Sequence, residues 1–143
     1  MQLFYSIISL SFLIILLTVS PVKGSSDWVE YLRTNSGDIL SYDKDNIKHA
    51  TKDIVQVWVK DVLSNERRKN LIDYHKYVNN IETLSHYVSL NEIDCKKRMY
   101  RSLSVSGRDT DGNDLFSSSD DNSQWNRIPS KSAWDTLQKT VCN

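Results

Sequence analysis

The stretch from Leu84 to Ser106, LSHYVSLNEIDCKKRMYRSLSVS, constrains this chain more than any other. Leu84, His86, Val88 and Leu90 alternate along one face. The apolar set slips near Asn91 and resumes at Ile93 and Cys95. After Lys96-Lys97, a second run sets Met99, Arg101, Leu103 and Val105 against Tyr100, Ser102 and Ser104. A period of two belongs to strands, because successive side chains point to opposite faces. The slip reads as a β-bulge. The pattern therefore predicts two neighbouring strands, with Cys95 at the bend between them, to which the rest of the chain is added.

The remaining elements follow from the same rule and its exceptions. Trp28 to Arg33 reads as a short strand, Asn35-Ser36-Gly37-Asp38 as a turn, and Ile39 to Tyr42 as the returning strand. Asp43 to Asn46 breaks the pattern, and Ile47 tucks an apolar anchor inward. Between Asp53 and Val62, Val55, Val57 and Val59 form a β-branched row that belongs against a core. Gln56, Trp58 and Lys60 take the other face, where Trp58 is left to cover an edge, meet a helix or sit in an interface. From Ser64, an N-cap with Glu66 in the first turn, the period changes. Leu71, Tyr74, Val78 and Ile81 mark an amphipathic helix ending near Asn79-Asn80. Leu115-Phe116 starts another short strand, Ser117 to Ser123 is polar loop, and Trp125 and Ile128 are isolated anchors. Pro129-Ser130 opens a last helix, with Ala133 or Trp134, Leu137 and Val141 facing inward. The expected fold is α+β: an antiparallel sheet of about six strands with one central amphipathic helix and a short C-terminal helix packed on it.

Leu3 to Val22 is apolar almost without a break. It reads as a signal peptide over residues 1–24, cut before Ser25, which leaves one domain over residues 25–143. The run has no basic n-region and is also long enough to span a bilayer, so an uncleaved anchor is the rival reading. Removing residues 1–24 takes away only Lys23 and leaves 17 basic and 18 acidic side chains. That balance exerts no long-range pull on nucleic acid or anionic lipid. In an exported chain the even pair Cys95 and Cys142 points to a disulfide, two free buried thiols being the alternative. Closing that loop would contribute roughly 4 kcal/mol on a chain-entropy model.

No stretch carries a catalytic arrangement: HExxH, a glycine-rich phosphate loop and GxSxG are all missing from the sequence. His49, His75 and His86 have neither ligand nor dyad spacing. Asp109 to Asp114 around Gly112 has the wrong glycine position for a calcium loop and reads as a hairpin turn, with an adventitious cation site as the alternative. Glu92 and Asp94 fit an ion-paired sheet face. The expectation is therefore a chain that is not an enzyme and needs no metal. Two basic patches remain, Arg67-Arg68-Lys69 and Lys96-Lys97-Arg98 with Arg101. They are either solvated side chains or a contact for an acidic protein or sulfated glycan. The turn Lys96-Lys97-Arg98 with Arg101 is the first ligand-binding candidate, and the Trp58 face is the second.

Asp27-Trp28, Tyr42-Asp43 with Ile47, Val57-Trp58-Val59, Glu92-Ile93-Asp94-Cys95 and Arg98 to Ser104 follow one another in a recognisable order. The Asp111-Gly112 turn before Phe116, then Trp125, Pro129 and a final Val141-Cys142 extend it over nearly the whole mature chain. In these pieces the chain resembles the surface-adhesin protein E family of bacterial envelope proteins. The resemblance implies a sheet with a helix packed on it, a dimer, and an exported protein of the periplasm or cell surface. It also implies binding of host extracellular-matrix and plasma proteins, and of haem as the one cofactor-like ligand. The chain departs from lipid-anchored members in lacking a lipobox cysteine. An adhesin-like binding module and a periplasmic structural or assembly protein without a soluble ligand are the two readings carried forward. Protease accessibility on intact cells separates them.

Overall fold

In the computed structural model, which describes residues 26–143, the strands form one antiparallel sheet. The strands are β1 (Trp28–Arg33), β2 (Ile39–Asp43), β3 (Lys48–His49), β4 (Ile54–Val62), β5 (His86–Asp94), β6 (Met99–Arg108), β7 (Asp114–Ser119) and β8 (Asn126–Arg127). The main path runs β1-β2-β4-β5-β6-β7, with the two-residue β3 on β4 and β8 on β6. Helix α1 (Asn65–Tyr74) is inserted between β4 and β5, and α2 (Ala133–Val141) ends the chain. The α+β architecture is thus the one the sequence predicts. Residues 1–24, read from the sequence as a signal peptide, lie outside the described residues.

Cross-strand partners share a face of the sheet, so the ladders sort every side chain. Val55, Val57 and Val59 pair with Ile93, Asn91 and Ser89 on what we call the helix face. There α2 supplies Leu137 and Val141, and together with Ile128 they form the main core. Apolar burial of this kind is the largest stabilising contribution available to the fold. A second, smaller core of Leu63, Ile81 and Leu84 lies against Leu71, Ile72, Tyr87 and Phe116. Phe116 lies over Gly107, where an added Cβ would stand 2.4 Å from the ring, so only glycine admits the aromatic. Both helices therefore pack on the same side. The other side, the open face, carries Gln56, Trp58 and Lys60.

Two local readings are corrected. The slip near Asn91 is real, but it belongs to the partner strand. The β4–β5 ladder runs unbroken from Ile54↔Asp94 to Val62↔His86. The β5–β6 ladder passes from Leu90↔Ser104 to Asn91↔Ser102, which leaves Leu103 as the extra residue. Leu90 and Ile93 consequently lie on opposite faces, and Arg101 and Val105 do as well. The amphipathic helix is also shorter than its stripe. α1 starts at its Ser64 cap, whose Oγ accepts from Arg67 N, and ends at Tyr74. Ile81 is buried in a separate 3-10 turn, and Tyr74 is 79% exposed. The link between them passes through Asn80 in the left-handed region, φ 57°, a conformation asparagine tolerates better than most residues.

The C-terminus is fastened twice. Cys95 and Cys142 form a disulfide across 47 positions. Beside it, Arg98 donates to Asp135 Oδ1 at 2.6 Å and to Gln138 Oε1 at 2.8 Å, while Gln138 Nε2 donates to the Cys95 carbonyl at 3.1 Å. These hydrogen bonds to Arg98 and Lys139, with the Lys131 N–H, hold the Asp135 carboxyl far below the usual carboxylate range. A depressed carboxylate contributes stability above its unfolded pKa of about 4 and loses it as pH falls toward the folded value. The thermal midpoint is therefore expected to fall on acidification below pH ~4, and Asp135→Asn is expected to flatten that dependence. Parallel melting curves of the two proteins between neutral and acid pH check this. Equal slopes would remove Asp135 from the account.

Candidate functional site on the open sheet face

The open face is built from four rungs of side chains that alternation turns away from both helices. Gln56, Glu92 and Arg101 form one rung, and Trp58, Leu90 and Ser104 the next. Lys60, Val88, Ser106 and Ser117 form the third, and Val62, His86, Arg108 and Asp114 the fourth. Trp28 joins them from β1, with the Lys60 ammonium 4.7 Å from its ring centroid. Trp58 stands between two clefts of about 280 Å³ each. One cleft is walled by the serines of β6 and β7, the other by Trp28, Asp43 and Val88.

The charges on this face are largely satisfied within it. Glu92 accepts from Gln56 Nε2 at 2.9 Å and from Arg101 Nε at 2.8 Å. The Arg101 guanidinium also lies 4.8 Å from the Trp125 ring centroid. Arg108 donates to Asp114 at 2.7 Å. Burial, with Lys60 and Arg108 nearby, pushes the His86 imidazole below its ordinary pKa. A half-covered indole between hydroxyls and held cations can stack on an apolar or planar group while its neighbours donate hydrogen bonds.

The sequence candidates fall into three environments. Lys96 and Lys97 are exposed at the β5–β6 turn, with Lys97 Nζ 3.8 Å from Asp94. Arg98, at φ 56°, turns its guanidinium to α2. Arg101 and Trp58 are brought onto the open face, one rung apart. Trp28 and the serine row were not singled out by sequence reasoning, because only the ladder register joins them to Trp58. The Asp109 turn is closed on itself: Asp109 Oδ1 accepts from the N–H groups of Asp111 and Asn113. Among the described residues no cluster of three His, Cys, Asp or Glu side chains is placed to hold a metal.

A sequence model described as surface-adhesin protein E matches residues 28–143, the whole sheet together with α2. The chain belongs to the surface-adhesin protein E family. Neither the curated proteins nor the solved structures gave a match. Family membership suggests a surface adhesin. Of the three histidines, His49 is on β3, His75 caps the end of α1 and His86 stands on the fourth rung of the open face. Among the described residues no helix is long and apolar enough to cross a membrane.

Proposed function

We propose that this surface-adhesin protein E family member is a non-catalytic binding protein of a bacterial cell envelope. It is exported by the segment 1–24 as a signal peptide and meets acidic macromolecules, such as extracellular-matrix or plasma proteins, through the open face and its adjoining turn. The observation that carries the reading is that Trp58 stands half-buried on a sheet face on which, among the described residues, no helix packs. Interface hot spots concentrate in such aromatic side chains with a dry, ordered surround. Lys96 and Lys97 add charge at the rim, held in place by the disulfide beside them. Arg98 and Arg101 act through their ion pairs, keeping the turn and the face rigid. Ordering entropy lost on binding is correspondingly small.

The test measures binding to matrix-protein preparations and to heparin at about 0.05 and 0.3 M salt, a range over which screening of the lysines changes. Trp58→Ala is expected to weaken binding about tenfold or more, the scale of an aromatic hot spot. Lys96→Glu with Lys97→Glu is expected to weaken it mainly at low salt. Binding indifferent to all three changes would move the site elsewhere. A protein protected from protease on intact cells, with no saturable ligand, would instead be a periplasmic structural component.

A further inference from the structure

The two clefts beside Trp58 differ in lining, and the one toward β7 is mostly polar. Ser104 pairs with Ser119 and Ser106 with Ser117 across the β6–β7 ladder, so four hydroxyl positions share the open face in two facing pairs. Trp58 lies on the Ser104–Ser119 rung, beyond Leu90, and its indole walls the hydroxyl patch. Arg108 and Asp114, from the fourth rung, line the same cleft. Arg108 donates to Asp114 Oδ1 through Nε at 2.7 Å, which leaves its two Nη groups and Asp114 Oδ2 available. Both side chains are reachable from solvent, 34% and 53% exposed. The pair carries one charge of each sign, so the cleft is balanced. Lys60 is held over Trp28 instead, on the β1 side of Trp58.

We infer that this cleft binds one ring of a neutral sugar, a hexopyranoside unit of a glycan carried by an extracellular macromolecule. The inference rests on the open face being the binding surface, and it names the group recognised there. A pyranose presents an apolar C–H face and a rim of hydroxyls, each both donor and acceptor. The indole suits the first. For the second, serine hydroxyls donate and accept, Asp114 accepts and Arg108 donates. Bonds to the carboxylate and the guanidinium are charge-assisted and so the stronger ones. An acidic side chain of a peptide, or an acidic sugar, would have to share Arg108 with the carboxylate already on it. Charge balance therefore favours the neutral ring over either. The cleft, about 280 Å³, lies just below the roughly 300–1,000 Å³ of drug-sized sites, which suits one ring with the rest of the glycan in solvent.

The experiment titrates the purified protein with methyl β-galactopyranoside, methyl β-glucopyranoside, methyl β-glucuronide and N-acetylaspartate amide, following amide and indole N–H chemical shifts. Saturable binding of at least one neutral glycoside is expected, with a dissociation constant of about 1–20 mM, and the two acids at least about fivefold weaker. Shifts are expected at Trp58, Ser106 and Ser117, with Leu137 and Val141 unmoved. Asp114→Ala is expected to weaken glycoside binding about fivefold, and Ser117→Val, on an exposed strand position where a β-branched residue fits, about threefold. The wild-type series and its map decide the matter even if a variant folds poorly. No saturable neutral glycoside up to about 100 mM, an acid that binds as tightly, shifts centred away from Trp58, or folded variants that both bind as before would each overturn the assignment. Matrix-protein binding that is lost in Trp58→Ala, yet survives enzymatic removal of the glycans, would also overturn it while keeping the open face as the binding surface. Free glycoside bound with no matrix protein bound would keep the sugar site and remove the wider choice of partner.

Discussion

Cys142→Ser is expected to lower the stability of the domain by about 4 kcal/mol, the loop-closure entropy of a cross-link of this span. The bond joins the end of β5 to the end of α2 across 47 positions. Its removal acts on the unfolded chain, which becomes free to expand, while the folded contacts of Arg98 and Gln138 stay in place. Urea denaturation is therefore expected to show a lower midpoint and a steeper slope, because the uncrosslinked chain exposes more surface on unfolding. A midpoint unmoved by the substitution would mean that the hydrogen bonds around Arg98 alone hold the terminus. For domains whose total stability is of order 5–15 kcal/mol, the expected loss is a large fraction.

Leu137→Ala is expected to cost about 2–5 kcal/mol, through lost transfer free energy and the cavity left behind. Leu137 is 0% exposed and sits in one cluster with Val55, Val57, Val59 and Ile93. It is the residue through which α2 is inserted into the sheet, and α2 is too short to persist without that packing. Here the effect is on the folded state, so the urea slope is expected to stay close to wild type while the midpoint falls. A loss under about 0.5 kcal/mol, the scale of a neutral surface change, would show that α2 docks by some other contact. Comparing the two variants separates a cross-link acting on the unfolded chain from a side chain acting on the folded one.

How much of this was legible in the sequence depended on the range over which each signal acts. Alternation is a local property, so Val55, Val57 and Val59 and the strands at Leu84–Ser106 could be placed without partners. A bulge is a property of two strands at once. The apolar slip at Asn91 was visible, but the extra residue, Leu103, is defined only by the ladder. The helical stripe of Leu71, Tyr74, Val78 and Ile81 kept its spacing across a helix end, since a separate turn can bury Ile81 equally well. For the site, Trp58 could be singled out as an aromatic opposite a valine row. Its neighbours Trp28 and Ser117 come from strands far apart in the chain and are joined to it by register. The basic turn showed the converse limit. Arg98 looks like its lysine neighbours until Asp135, 37 residues on, is brought beside it.

The strand order along the main path is also the order of the chain. Each pairing in it joins a strand to its nearest predecessor on that path, so the sheet can be laid down hairpin by hairpin. Closure entropy rises with the logarithm of the loop, and α1 with its following turn is the longest excursion between paired strands in that path. Outside that path, the further non-local closures, of the kind that slows folding, are the pairing of β8 with β6 and the return of α2 across the sheet. In the folded chain that return places Cys142 beside Cys95, so the disulfide ties the last element of the chain to a hairpin whose own ladder of hydrogen bonds runs without it.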